Sequence, residues 1–313
     1  LLIIVKECDF VTVSTLYCVL FYPQEQNCIQ SISTLRGDEE SGMKLLNHLK
    51  VLTIGTLGLL MSSAASAGVV GSKHDLTAGG GGQATTTVTD EVCVFCHTPH
   101  GSDTAAPVPL WNKVLGAPGS YTQYSTLQTP TFDSTEAPVG SVSLACLSCH
   151  DGTQAMDVVI NLPGAGGHNP AGQEIDSVGI GAMVGTPVPN LGTDLTDDHP
   201  ISMQYGGGGP VATDPDGLFD RLQLGDTDFN GPVKATVNGN PIWWVDSQVG
   251  TQLTREKTDM ILYARADLGE VQPFVECGSC HDPHNDQTAG ASSVQFLRIN
   301  NTASQICTAC HLK

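Results

Sequence analysis

Basic residues are scarce in this 313-residue chain, where 13 Lys and Arg stand against 32 Asp and Glu for a formal charge of -19. That balance repels phosphate instead of exchanging counterions with it, which excludes a nucleic-acid binder. Aromatic residues make up 5% and charged residues 14% of the chain, too little for an ordinary aromatic-stitched core of this length. Something other than side chains is therefore expected to fill part of the interior. Long periodic stretches are missing as well: 35 Gly and 18 Pro interrupt almost every run, which disfavours a large enzyme on a regular helix-strand framework.

What the chain does hold is cysteine and histidine in a fixed order. Cys93-Val94-Phe95-Cys96-His97, Cys146-Leu147-Ser148-Cys149-His150, Cys277-Gly278-Ser279-Cys280-His281 and Cys307-Thr308-Ala309-Cys310-His311 repeat one pattern four times. Random placement of 11 Cys and 10 His predicts about 0.01 such patterns.

The N-terminal part is set aside first. Lys44 and Lys50, the apolar run over 51–61 and the small residues Ala65-Ser66-Ala67 read as a secretory signal over 43–67, with an apolar run too short to span a bilayer. Signals begin at a start codon, and Met43 opens this one. Glu39-Glu40 corresponds to purine-rich codons at the spacing of a ribosome-binding site. Residues 1–42 are accordingly expected to be upstream sequence read as protein. The mature chain, 68–313, then holds eight cysteines, all inside the four motifs, and no apolar stretch long enough for a membrane span. A strongly acidic, exported protein is expected.

Thiols at i and i+3 lie one helical turn apart on the same side of the chain, the spacing that lets them add to the two vinyl groups of one haem. The histidine after the second thiol is carried under the macrocycle to the iron. A zinc knuckle or a disulfide framework also uses Cys-x-x-Cys pairs, but neither explains a His after every second Cys. Four covalent haems are expected, on Cys93 and Cys96, Cys146 and Cys149, Cys277 and Cys280, and Cys307 and Cys310, with His97, His150, His281 and His311 as proximal ligands.

Each iron has a second axial place, and five further histidines follow residue 68: His74, His100, His168, His199 and His284. His100 and His284 stand three residues beyond a proximal His, too close in sequence to reach the opposite face of the same haem, so each is expected to serve a neighbour. His74 and His199 complete the four distal donors, and His168, in a glycine-rich loop, is the spare. Pro99 and Pro283 stiffen the two His-x-x-His links.

Between the motifs, residues 158–276 are rich in Gly and Asp. One hairpin is expected there, with Ala235-Thr236-Val237 and Ile242-Trp243-Trp244-Val245 flanking Asn238-Gly239 and Pro241 demoting the second arm to an edge. The rest reads as coil, with short helical turns at the motifs. Asp226-Thr227-Asp228-Phe229-Asn230-Gly231 matches the first half of a calcium loop, but Val237 stands where a bidentate Glu belongs, so calcium is a weak reading beside a plain acidic turn. Trp243 and Trp244 are expected to pack against a haem or to cover the hairpin.

These motifs resemble the multihaem c-type cytochromes, and more narrowly the secreted tetrahaem cytochromes of the outer-membrane cytochrome E type. The resemblance rests on Gly71-Ser72-Lys73-His74-Asp75, the stretch 93–101, Trp111-Asn112, Cys146 through Gly152, Asp198-His199-Pro200, the stretch 277–284 and the final motif. It implies a fold of irregular coil and short helices organised around a stack of four bis-histidine haems. It further implies that some members polymerise head to tail into extracellular conductive filaments, one haem taking a histidine from the next subunit. His100 is the expected donor there and His74 the runner-up. The expected role is electron transfer without substrate chemistry, between partner cytochromes and acceptors outside the cell. The alternatives are a soluble periplasmic carrier and a multihaem oxyanion reductase. A reductase needs an open iron and basic residues for its anion, and only nine Lys and Arg follow residue 67.

Overall fold

Val, Ile, Trp and Tyr in short runs, bounded by Gly, Pro and Asn, favour strands over helices, and strands are what the segment between the second and third motifs forms. The computed structural model describes residues 68–82, 84–185, 189–208, 225–247, 250–251, 254–265, 272–285 and 296–312, all within one unit, Ala67–Lys313. The signal segment 43–67 and the stretch 1–42 lie outside the described residues.

Strands β1 (Val158–Asn161) and β2 (His168–Glu174) pair antiparallel. A second antiparallel sheet takes β3 (Met203–Gln204), β4 (Val233–Val237), β5 (Asn240–Val245), β6 (Met260–Ala264) and β7 (Pro273–Val275) in the order β3-β7-β6-β5-β4. The segment read from sequence as coil with one hairpin thus supplies seven strands. His168, read as part of a glycine-rich loop, opens β2.

The β4-β5 turn has both central residues at positive φ, Asn238 at 50° and Gly239 at 81°, the backbone of a type I′ hairpin and the reason Asn-Gly occupies it. Pro241 does not make β5 an edge. The partner strand β6 pairs only with Trp243, Trp244 and Val245, so Pro241 lies beyond the end of that ladder, where its missing N–H breaks no bond to β6. Alternation along β5 sends consecutive tryptophans to opposite faces. Trp243 and Val245 join Tyr205, Met260, Leu262, Ile299 and Ala309, against which Cys280, Ile306 and Cys310 pack. Trp244 joins Val233 and Ile261 on the other side. The sheet is therefore the wall on which the last two cysteine motifs rest.

Helices are confined to short pieces. A 3-10 turn spans Val92–Phe95, and the α-helices are α1 (Ser141–His150), α2 (Cys277–Cys280) and α3 (Gln305–Thr308). Leu144 and Leu147, one turn apart on α1, close a second core with Tyr121, Val139 and Leu195.

A buried carboxylate joins α1 to α2. Glu276 caps α2 through a reciprocal capping box with Ser279. Its Oε2 accepts from Ser143 Oγ on α1 at 2.6 Å and from Ser202 Oγ at 3.0 Å, and Arg265 Nη1 stands 3.4 Å from Oε1. Arg265 Nη2 donates to the Pro138 carbonyl at 3.0 Å. Gly140 leaves room for this guanidinium, since a Cβ there would overlap it. Removing the acid alone strands a buried cation and two hydroxyls. Glu276→Ala is accordingly expected to cost about 3–5 kcal/mol of stability, while Glu276→Met with Arg265→Met in one chain costs clearly less. Denaturant melts of the two proteins, followed by near-UV circular dichroism, check this.

Candidate metal centres

In each cysteine motif the chain turns helically through the pair and presents the histidine one turn on. The His97, His281 and His311 amides donate to the carbonyls of Cys93, Cys277 and Cys307 at 2.8, 3.1 and 2.9 Å, and His150 ends α1. All eight thiols are unpaired, with Cys93 and Cys307 exposed and the rest half-buried. Gly278, between the third pair, permits the approach of the Tyr263 hydroxyl, which a Cβ would meet.

Four of the thiols, Cys96, Cys146, Cys280 and Cys310, sit where charge is disfavoured. Burial pushes Cys96 and Cys310 up to about 12 and Cys280 to about 11. Cys146 is also raised, first by its hydrogen bond to Cys277 and then by burial, while Cys277, which accepts that bond, is lowered. Zinc needs thiolates. A thioether to haem carries no charge, so burial costs it none of this desolvation.

Neighbouring thiols also give the spatial order of the motifs. Cys149 perturbs Cys96, Cys146 bonds Cys277, and Cys280 perturbs Cys310. First meets second, second meets third and third meets fourth.

The histidines meet as pairs. The ring centres of His97 and His284 lie 6.2 Å apart with planes inclined by 19°, those of His74 and His150 6.1 Å apart at 68°, and those of His199 and His311 6.4 Å apart at 64°. Metal-imidazole bonds of about 2 Å, with about 1 Å from each nitrogen to its ring centre, put two rings about 6 Å apart on one metal. Among the described residues no group of three or more His, Cys, Asp or Glu converges as a bare-ion site. Pairs are what an iron already held by four macrocycle nitrogens asks of a protein, so the donor set fits haem.

The outer ring nitrogens are held in place. His97 Nδ1 stands 2.9 Å from the Pro109 carbonyl, His150 Nδ1 2.7 Å from that of Pro189, and His199 Nδ1 3.0 Å from that of Pro200. A carbonyl only accepts, so each Nδ1 carries the proton and each Nε2 keeps its lone pair for a metal. His74 donates to the Pro283 carbonyl, and its pKa is lowered to about 4 by burial first and His150 second, which keeps it neutral and able to ligate. His284 Nδ1 points at Asp282 Oδ1 from 3.6 Å, an ion-pair distance longer than a good hydrogen bond. Asp282 is held at about 2, chiefly by His284.

Three histidines stand outside these pairs. Among the described residues no second imidazole faces His281 at such a distance, and His281 is exposed. His100 and His168 are exposed too, and they are neighbours: a Cβ on Gly101 would lie 3.2 Å from His168 Cδ2. His74, the runner-up as a donor between subunits, is engaged inside the chain by His150 and by Phe296, stacked at 4.1 Å.

Sequence reasoning did not single out the four proline carbonyls, for which no local signal exists, or Asp282, which the His-Asp-Pro-His string offered. The acidic turn proves to be a clamp. Asn230 Nδ2 donates to the carbonyls of Thr308 at 3.3 Å and Ala309 at 2.9 Å, its own amide donates to Cys310 O, and Phe229 lies 4.5 Å from the His311 ring. Asn230→Ala removes two of these bonds, at about 0.5–1.5 kcal/mol each. Hydrogen exchange at residues 305–312 is expected to speed up while exchange in β5 and β6 stays unchanged. Comparison with protein-family models finds no match for this chain, and comparison with curated proteins finds none either.

Proposed function

We propose that this chain is a secreted electron carrier holding four covalent haems in a row, assembled head to tail into a conducting filament. The observation that carries the reading is the set of three imidazole pairs with ring centres 6.1, 6.2 and 6.4 Å apart, on motifs whose thiols are electrostatic neighbours in chain order. When bound, haem supplies one-electron iron chemistry. The protein's part is to hold that chemistry still. Four rings donate to neutral proline carbonyls, which fixes ring orientation before and after a charge change. Thioethers at both cysteines of a motif keep the group in place on turns too short to bind it otherwise.

His281 supports the filament. It is the one motif histidine without a facing imidazole among the described residues, and it is exposed, as are His100 and His168. A donor on one copy reaching an acceptor on the next is a heterologous contact, which propagates as an open helix when its rotation does not close. His100 is the proposed donor, with His168 beside it as second choice. Among the described residues no helix is long and apolar enough to cross a membrane. A reductase reading draws no support, because among the described residues Arg298 is the one basic side chain acting on His281, too little for an anion site.

The intact secreted protein is expected to carry four haems by mass and to be low-spin throughout when polymeric. His100→Ala is expected to yield short or monomeric species with one haem in four high-spin and able to bind carbon monoxide, whereas His168→Ala leaves both length and spectrum unchanged. Electron micrographs and absorption spectra of the two variants decide between the donors. Four low-spin haems in a monodisperse monomer would replace the filament with a soluble carrier.

A further inference from the structure

Lys113 is fully buried, with 0% of its surface exposed, although a lysine is almost never so placed without a partner. Its Nζ donates to the carbonyls of Val158 at 2.7 Å, Met156 at 3.1 Å and Ala155 at 3.5 Å. Three donors to three oxygens describe an ammonium, since a neutral amine has only two N–H groups. Among the described residues no carboxylate forms an ion pair with it. Asp157, whose neighbours supply two of the carbonyls, turns Oδ2 to the Asp176 amide at 3.1 Å. The cation is therefore solvated by backbone dipoles and its charge is not cancelled locally.

It sits beside the first motif for a structural reason. The Asn112 amide donates to the Cys96 carbonyl at 2.8 Å and the Thr98 amide to Leu110 O at 2.9 Å, so the segment before Lys113 runs alongside Cys96, His97 and Thr98. Asn112, itself fully buried, locks this alignment: its Nδ2 donates to Val94 O and Asn161 O, and its Oδ1 accepts from the Asn161 amide. Trp111 stands edge-on to His97 at 5.9 Å.

We propose that Lys113 is a fixed buried charge that raises the reduction potential of the haem carried by Cys93 and Cys96, acting as a tuning residue that touches neither ligand. The physical ground is that ferrous iron carries one positive charge fewer than ferric iron, so a nearby cation in a low-dielectric site favours the reduced form. Asp282, facing His284 across the same imidazole pair, acts in the opposite sense, and Arg298 at 3.9 Å shares its charge. Lys113 thus works against an anion already partly neutralised, at one end of the row only.

The inference rests on the haem reading above and fails separately from it. Lys113→Met and Lys113→Gln are made in the full secreted chain, haem count is taken by mass, and the potential of each haem is followed by redox titration with haem-methyl NMR. Four haems, with the potential at Cys93 and Cys96 lowered in both variants and the other three shifted less, is the expected result. Four haems with that potential unchanged, raised, or lowered equally with the rest would overturn the role of Lys113 while leaving the haems in place. Absence of a haem on Cys93 and Cys96 in the unsubstituted protein would overturn the haem reading itself. If the Met chain fails to accumulate, the Gln chain decides alone, because its amide supplies two N–H donors toward these carbonyls without the charge.

Discussion

A single buried carboxylate holds the arrangement together. Glu276 caps α2, takes the Ser143 hydroxyl of α1 and the Ser202 hydroxyl, and faces Arg265. An isolated buried charge costs several kcal/mol, so the acid tolerates its site only while these partners stay in register. That requirement brings α1 beside α2 and sets Cys146 against Cys277. The second and third motifs are thereby adjacent although more than a hundred residues separate them in the chain. The large sheet then fixes the fourth motif through Ile306 and Cys310, and the Asn230 clamp keeps its last turn closed.

The histidines depend on this frame in a second way. Their outer nitrogens are satisfied by carbonyls of Pro109, Pro189, Pro200 and Pro283, and proline suits the place because its fixed φ makes a rigid support that has no N–H of its own to satisfy. Neutral acceptors set tautomer and direction without adding charge. Asp282 beside His284 is the exception, and Lys113 lies near the same pair. Charged groups also stand beside the third motif, where Glu276 precedes Cys277 and faces Arg265.

Glycine and proline abundance made the segment between the second and third motifs look like coil. The hairpin was legible, because Asn238 and Gly239 tolerate the positive φ of a tight turn that other residues resist. Strands β6 and β7 were not. Met260–Ala264 is a short unbroken apolar run, and periodicity cannot distinguish such a run from a buried helical piece. It becomes a strand because β5 and β7 flank it and supply its backbone partners. The same neighbours explain Trp243 and Trp244, which face opposite sides of one sheet instead of acting as a unit.

The chemistry available at each motif is written in the linear order of residues, because two thiols and an imidazole within five residues are brought together by one helical turn whatever the rest of the chain does. That order also determines which additional histidines exist. It is folding that brings His284 to His97, His74 to His150 and His199 to His311, and leaves His281 without such a ring among the described residues. Facing rings come from positions far apart in the chain, so their pairing depends on how the Glu276 clasp and the sheet stack the motifs, and no local spacing encodes that.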